Sequence, residues 1–235
     1  MDALYVRKKI VEELRTMGIP GVVMGISGGK DSAVAAALCV EAFGRDKVFG
    51  LLLPDGEQKD ISDSIEVCES LGIEYQIVNF GAAHQLLQQE INNYDKESDI
   101  NMTARFRTLI IRYFTQLKGA RMCGTGNASE IYVGYFTKFS DDACDFNPLA
   151  NYTSVEVVEI GKTFEQLPKQ VVNKIPTDGI SGSVDEERLG VSYQAIHDVI
   201  RHGTSGDPET DARIEVLHRN SAHKRNPIPK VAYYG

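Results

Sequence analysis

The sequence predicts an α/β fold, a doubly wound parallel sheet with helices on both faces. In the first half of the chain, apolar stretches that suit strands alternate with stretches that suit helices. This alternation indicates right-handed crossover connections, which place helices on both faces of a parallel sheet. The strand candidate at residues 48–53 (VFGLLL) is apolar throughout, as expected for a strand that is covered on both faces.

The elements of this half follow from local patterns. Val6, Ile10 and Leu14 recur at helical spacing, and Gly18 and Pro20 end the first predicted helix. The predicted helices span residues 3–17, 33–44, 61–71, 83–93 and 100–117. The predicted strands span residues 22–26, 48–53, 75–80 and 120–125.

The second half is predicted to be mainly helical. Thr153 and Glu156 form a capping-box pattern that opens a helix reaching to about Leu167. Residues 174–184 lack periodicity and predict a long loop. Helices follow at 186–201 and 208–220, the latter capped by Asp207, and the basic tail at 223–230 is expected to be extended. We expect one domain over residues 1–235, with a nucleotide-binding core at about 20–150 and a helical part at about 151–235.

Composition narrows the class of protein. The chain has 235 residues and a formal net charge of −8, which argues against a partner made of nucleic acid because phosphate backbones demand clustered cations. Its four cysteines are scattered without a C-x-x-C spacing, which favours a reduced, cytoplasmic setting. No apolar run approaches the length of a membrane span, so no membrane partner is expected.

The stretch Ser27–Ser32 (SGGKDS) lies between the first strand and the next helix. Unpaired N–H groups and the positive end of a helix dipole make such a junction an anion site, and glycines let the backbone approach a phosphate. Asp31 adds a carboxylate that suits a metal ion. The stretch fits neither the Walker A pattern nor the dinucleotide pattern G-x-G-x-x-G.

This loop resembles the pyrophosphatase loop of ATP-dependent adenylating enzymes, and further stretches resemble one family among them, the NAD synthetases. They are residues 101–107 (NMTARFR), 124–130 (GTGNASE), 134–138 (GYFTK), 174–177 with 185–196, and 223–225 (HKR). They occur in the family's order and, with the loop, span most of the chain. The resemblance implies a Rossmann-like fold of the adenine nucleotide alpha hydrolase type.

The resemblance also implies an activity. Deamido-NAD would be adenylated by ATP with Mg²⁺ on its nicotinate carboxylate, and ammonia would then displace AMP to give NAD. Family members are homodimers, and the apolar helix at 100–117 is the interface candidate. We expect the ammonia-dependent form, or a synthetase that receives ammonia from a partner.

Site roles follow from the resemblance only. The residues assigned to ATP are Gly25, Ile26, Ser27, Gly28, Gly29, Lys30, Asp31, Ser32, Thr125, Ser154 and Thr177. Those assigned to deamido-NAD are Arg105, Lys138, Asp145, His223 and Lys224. Asp31 and Glu130 are assigned to Mg²⁺, and Asp31, Lys138 and Asp145 are the catalytic candidates.

Three positions depart from the family pattern. Residues 140–142 (SDD) stand where the family has Gly-Asp-Gly, and Lys30 stands where a small apolar residue is more usual. Ser154 occupies the position of an ATP-binding lysine. We hypothesise that Lys30 supplies the missing cation.

Other readings of the same residues remain. Without their context, Glu130 would be a surface glutamate, Arg105 part of a solvated helix face, and His223 and Lys224 a solvated tail. The chain could also be another adenylating ATP pyrophosphatase with a different carboxylate substrate. A third possibility is a regulatory protein that binds nucleotide without turnover, which the loss of the lysine at Ser154 allows.

Overall fold

A parallel sheet forms the centre of the computed structural model, which describes residues 1–58, 60–175 and 184–233. In that part of the chain, the sheet has four strands in the order β3–β2–β1–β4. They are β1 (Val22–Gly25), β2 (Val48–Leu52), β3 (Glu74–Ile77) and β4 (Arg121–Met122). Every neighbouring pair is parallel, which confirms the predicted sheet type.

Helices connect and cover the strands. The helices of the first half are α1 (Ala3–Thr16), α2 (Lys30–Phe43), α3 (Ile61–Leu71), α4 (Gly81–Ile91), α5 (Lys96–Leu117) and α6 (Ala128–Val133). Those of the second half are α7 (Ser154–Gly161), α8 (Lys169–Val172), α9 (Asp185–Leu189), α10 (Tyr193–His202), α11 (Pro208–Asn220) and α12 (Ala222–Arg225). A 3₁₀ turn at Arg45–Lys47 leads into β2.

Both faces of the sheet are buried. Successive side chains of a strand point to opposite faces, and in β1 this places Met24 in a core with α1, α2, α3 and α7. Val23 faces the other way, into a core with Phe49 and with Ile111 of α5. The alternation confirms the prediction of helices on both faces.

The helical second half adds a third apolar cluster. Val133 of α6, Ile196 of α10 and Ile214 of α11 are almost completely buried against one another. This cluster holds α6 and the segment beyond it against the end of the chain. No helix of the described residues has the length and apolar character that a membrane span requires.

Three predictions for the second half of the chain were wrong. The single helix predicted at 186–201 is divided into α9 and α10, because Gly190 takes a left-handed conformation (φ 70°) and Ser192 caps a new helix. The helix predicted to reach Leu167 ends at Gly161, where the Thr163 hydroxyl and N–H both bond the carbonyl of Ile160. The tail predicted to be extended begins instead with the single turn of α12.

Candidate active site

A cavity of about 480 Å³ opens at the carboxyl ends of β1 and β4. Its wall includes most of the Ser27–Ser32 loop, residues 124–126 after β4, and residues 134–137 after α6. Ligands of open α/β sheets bind at this edge. The fold therefore brings together segments that are about 100 residues apart in sequence.

Hydrogen bonds within the Ser27–Ser32 loop fix its shape. The Ser32 hydroxyl accepts a bond from the Ser27 N–H (3.1 Å) and donates one to the Gly29 carbonyl (3.1 Å). Gly28 has φ +75°, and a Cβ there would lie 3.0 Å from the Ser64 hydroxyl and from the Asp63 side chain. Only glycine suits this position, because an added side chain would be strained and crowded at once.

Asp31 and Glu130 face each other across Asn127. The Asn127 side chain donates to Asp31 Oδ1 (3.1 Å), and its backbone N–H donates to Glu130 Oε2 (2.9 Å). Asn127 also caps α6 by accepting from the Glu130 N–H (3.1 Å). One fully buried amide thus sets the spacing of the two carboxylates.

The residues present fit a divalent cation. Burial raises the pKa of Glu130 to about 8, and the negative charge of Asp31 adds to the rise. Carboxylate oxygens crowded in this way are the hard ligands that Mg²⁺ prefers, and a cation between them would relieve their repulsion. The predicted metal ligands Asp31 and Glu130 are therefore adjacent and both line the cavity.

A third carboxylate, which sequence reasoning missed, joins this cluster. Asp185 is 3% exposed, lines the cavity, and accepts hydrogen bonds from Tyr193 (3.1 Å) and Tyr135 (3.2 Å). Burial raises the pKa of Tyr193, which keeps its hydroxyl protonated as the donor. Asp185 begins the stretch 185–196 that matched the family pattern, and this match was the available signal.

Lys30 lies inside the acidic cluster. It is 4% exposed, and its Nζ is 2.8 Å from Asp31 Oδ2 and 5.6 Å from the centre of the Tyr193 ring. Burial by itself lowers the pKa of Lys30, but the charges of Asp31, Glu130 and Asp185 outweigh it, and the net shift is upward. Lys30 is therefore an ammonium ion.

Other cations of the cavity wall are tied to nearby groups. Lys174 pairs with Asp60 (2.7 Å) and Asp63 (2.6 Å), which joins the segment after α8 to the start of α3. Lys224 of α12 donates to the carbonyls of Gly134 (2.7 Å) and Phe136 (2.5 Å). Burial lowers the pKa of Lys224 although Asp141 and Asp142 oppose the shift.

Of the predicted ligands of deamido-NAD, Lys224 lines the cavity and the other four do not. Asp145 pairs with Arg112 (2.9 Å) and accepts the Met122 N–H (2.7 Å), so it lies beside β4. The Lys138 ammonium donates to the backbone carbonyl of His223, and residue His223 itself is exposed. Arg105 reaches the Lys138 carbonyl at 3.4 Å. Their roles remain predictions.

The predicted ATP residues divide similarly. All those of the Gly25–Ser32 stretch except Gly28 line the cavity, and Thr125 does too. Ser154 is 3% exposed and its N–H donates to the Ser129 hydroxyl (3.1 Å), away from the cavity wall. Thr177 lies outside the described residues.

Comparisons with known proteins point to one family. Residues 4–228 match the family model described as NAD synthase. The NH(3)-dependent NAD(+) synthetase of Pyrococcus furiosus is 36% identical, covering 95% of this chain and 93% of that protein. The corresponding synthetase of Methanocaldococcus jannaschii is also 36% identical, covering 96% and 95%.

Solved structures are similar over nearly the whole chain. The NMN synthetase of Francisella tularensis superposes with a TM-score of 0.91 at 33% identity, covering 99% of this chain and 100% of that one. The NH3-dependent NAD synthetase of Campylobacter jejuni, solved with a nitrate ion, gives a TM-score of 0.80 at 27% identity, covering 99% and 100%. The fold is therefore of the adenine nucleotide alpha hydrolase type, as the sequence predicts.

Proposed function

Because the chain belongs to the NAD synthase family, we propose that it amidates deamido-NAD with ammonia at the expense of ATP. The products are NAD, AMP and pyrophosphate. The observation that carries the proposal is one cavity lined by both the Ser27–Ser32 loop and the carboxylates of Asp31 and Glu130. A phosphate-binding loop beside a hard-metal site is what chemistry at the phosphates of ATP requires.

The loop is suited to the phosphates of ATP. Backbone N–H groups at the start of α2 have no partner within the helix, and the helix dipole adds positive potential there. Asp31 and Glu130 would hold Mg²⁺, which when bound neutralises phosphate oxygens and so assists departure of pyrophosphate. Asn127 positions both carboxylates for this purpose.

The reaction proceeds in two transfers. A carboxylate is a poor acyl donor, so its oxygen first attacks the α-phosphorus of ATP and pyrophosphate leaves. Ammonia then attacks the carbonyl carbon, AMP leaves with the C–O bond pair, and the nitrogen loses a proton. We propose that Lys224, which lines the same cavity as the loop, contacts the acid substrate, together with the predicted ligands Arg105, Lys138, Asp145 and His223.

A second candidate concerns the size of the acid. The similarity to the NMN synthetase (TM-score 0.91) exceeds that to the Campylobacter NAD synthetase (0.80), and its sequence identity is also higher. The matching acid would be nicotinate mononucleotide, which carries the same carboxylate but lacks the adenylate half of deamido-NAD. The chemistry at the phosphate loop would be unchanged.

One competition experiment tests both candidates. The protein would receive ATP, Mg²⁺ and ammonium with either acid, and pyrophosphate and amide product would be measured. A higher kcat/KM for deamido-NAD supports the first candidate, and a higher value for the mononucleotide replaces it with the second. If neither acid supported pyrophosphate release, both candidates would be rejected.

The same assay has an internal control at the loop. We expect Asp31→Asn to abolish product formation with either acid, because Mg²⁺ loses a charged ligand. Circular dichroism would check that the variant keeps its fold. Near-normal turnover of Asp31→Asn would remove this residue from the metal site.

We propose that the chain acts as one domain in a homodimer, with the exposed side of α5 as the interface. The scattered cysteines favour the cytoplasm, where thiols stay reduced. Cys39 and Cys123 are free thiols, and the Cys39 thiol donates a hydrogen bond to the Cys123 sulfur (3.8 Å).

A further inference from the structure

The Lys30 side chain is buried at the cavity wall and extends into the acidic cluster. Its Nζ is 2.8 Å from Asp31 Oδ2, and the charges of Glu130 and Asp185 also act on it. The ring of Tyr193 lies 5.6 Å from the same atom and covers it from one side. With 4% exposure, little of the side chain remains available to a ligand.

This placement differs from that of a lysine that binds phosphate. Such a lysine presents its ammonium to the ligand as a point charge with free donors. The Lys30 ammonium instead lies among the oxygens proposed to hold Mg²⁺. The geometry thus favours a role for Lys30 toward the carboxylates over the hypothesis that it replaces the phosphate-binding lysine absent at Ser154.

We propose that Lys30 is a built-in counter-ion of the carboxylates Asp31, Glu130 and Asp185, and that it prevents them from binding a divalent cation before ATP arrives. The ammonium balances one of the negative charges, and a single divalent cation balances the rest. With ATP absent, repulsion from the neighbouring Lys30 ammonium, which already pairs with Asp31 (2.8 Å), makes cation binding weak. The phosphates of ATP supply the further negative charge and oxygen ligands that make it strong.

The effect of the Lys30 charge on the affinity for a divalent cation can be estimated. A unit charge within about 6 Å of a divalent cation changes its binding by more than roughly tenfold, even at the effective dielectric constant of partly buried sites. Removal of the Lys30 charge should therefore tighten the binding of a divalent cation alone. If Lys30 instead bound a phosphate of ATP, removal of its charge would weaken ATP binding and leave the affinity for the divalent cation alone unchanged.

The test is a titration of the ATP-free protein with Mn²⁺. Binding is monitored by calorimetry and by the electron paramagnetic resonance signal of the free ion. We expect weak binding by the wild type and binding at least about tenfold tighter by Lys30→Met, which keeps the length of the side chain. Lys162→Met is the matched control, because it removes the same charge from an exposed pair with Glu159 (2.6 Å). Its Mn²⁺ affinity should equal that of the wild type.

Two further measurements keep the test decisive. The double variant Lys30→Met with Asp31→Asn should lose the gained affinity, because it removes a carboxylate as well. If Lys30→Met folds poorly, measurements on the wild type are sufficient. Tight binding of Mn²⁺ by the wild type without ATP, or a large rise of its Tm on addition of Mn²⁺, would overturn the proposal.

Unchanged Mn²⁺ affinity in a folded Lys30→Met, accompanied by weaker binding of ATP, would also overturn it and assign Lys30 to the phosphates. The inference rests on the proposed site for ATP and Mg²⁺, but the titration contains no acid substrate. Its failure would therefore leave the amidation of either acid intact, and a failed amidation assay would leave the titration result intact.

Discussion

At the scale of single residues, Glu156 shows how a charge stabilises the helical half. Its carboxylate accepts from the Thr153 N–H (2.8 Å) and from two nitrogens of Arg201 (2.8 and 2.5 Å). Burial would raise the pKa of Glu156, but the bonds from Arg201 and Thr153 outweigh it, and the pKa is lowered. The side chain thus joins the start of α7 to the end of α10.

We predict that Glu156→Gln lowers the free energy of unfolding by about 1.5–3 kcal/mol at pH 7, because a charged hydrogen-bonded pair is broken. The folded-state pKa of Glu156 lies below its unfolded value, so its contribution is present above the unfolded pKa and is lost as pH falls through the folded pKa. The difference from the wild type should therefore shrink below about pH 4. Urea unfolding at pH 7 and pH 3.5 measures both values.

Glu159→Gln on the same helix is the control, since Glu159 forms an exposed pair with Lys162. Such a pair contributes about 0–1 kcal/mol, so this variant should unfold almost as the wild type does. Equal losses in the two variants, or a loss in Glu156→Gln that does not change with pH, would contradict the assigned pair.

The sequence indicated which segments meet at the cavity better than it indicated the direction of their side chains. The Ser27–Ser32 loop and the segment with Glu130 each follow a strand of the sheet, and this position at the carboxyl ends of parallel strands could be predicted from the sequence. The direction of the Lys30 side chain depends on Asp185 and Tyr193, which lie more than 150 residues away in sequence. Asp145 fitted a family position, but its pairing with Arg112 of α5 is a contact that no local pattern indicates.

At the scale of elements, α6 and the end of the chain meet at a point that only glycine permits. Gly134, which ends α6, has φ +72°, and a Cβ there would lie 2.0 Å from the Ser221 Cβ. The Gly134 carbonyl also accepts the bond from Lys224. This close approach places Lys224 on the cavity wall.

We predict that Gly134→Ala destabilises the protein and weakens the binding of the acid substrate more than the binding of ATP. The left-handed backbone alone costs an alanine about 1–2 kcal/mol, and displacement of Ser221 adds to it. Because Lys224 moves with α12, the KM for the acid should rise several-fold while the KM for ATP changes little. Steady-state kinetics with each substrate varied, and a thermal melt, measure these effects.

Gly203→Ala provides the comparison, because Gly203 has φ +85° and no atom within 4 Å of an added Cβ. It should show only the backbone cost and unchanged KM values. If both variants alter the KM for the acid equally, α12 does not position the acid substrate.

Helix α3 and helix α11 were predicted with the bounds that the structure shows, because the left-handed Gly72 ends α3 and the Asp207 side chain caps the start of α11. The strands were predicted too long: β3 covers Glu74–Ile77 and β4 only Arg121–Met122. Strand length depends on the neighbouring strand with which a residue pairs. The chain beyond β4 shows this, since the Cys123 N–H still donates to the Val23 carbonyl of β1 (3.1 Å), whereas the next N–H, that of Gly124, donates to Phe146 (2.8 Å).

At the scale of the whole molecule, the alternation of strands and helices was sufficient to predict the parallel sheet and its two covered faces. The third cluster, built from α6, α10 and α11, could not be predicted in this way. Each of its helices carries an apolar face, but the sequence does not indicate which faces meet. Val133 and Ile214, for example, belong to this one cluster although they are distant in the chain.

Helix α5 carries an exposed apolar stripe. On α5, three large side chains at positions i, i+4 and i+8 point outward: Leu109 is 65% exposed, Tyr113 66% and Leu117 65%. A stripe of this spacing lies on a single face of a helix, and contiguous exposed apolar surface marks an interaction site. The opposite side of α5, including Ile111, packs against the sheet.

We predict that this stripe is the homodimer interface and that Leu109→Lys with Tyr113→Lys yields monomers. Two like charges on each protomer would face each other across a two-fold contact, in which the same surface meets its copy. Light scattering coupled to size-exclusion chromatography should give twice the chain mass for the wild type and the single mass for the variant. Leu4→Lys, at a residue of α1 that is 49% exposed, should remain dimeric. A monomeric wild type, or a dimeric double variant, would show that α5 is not the interface.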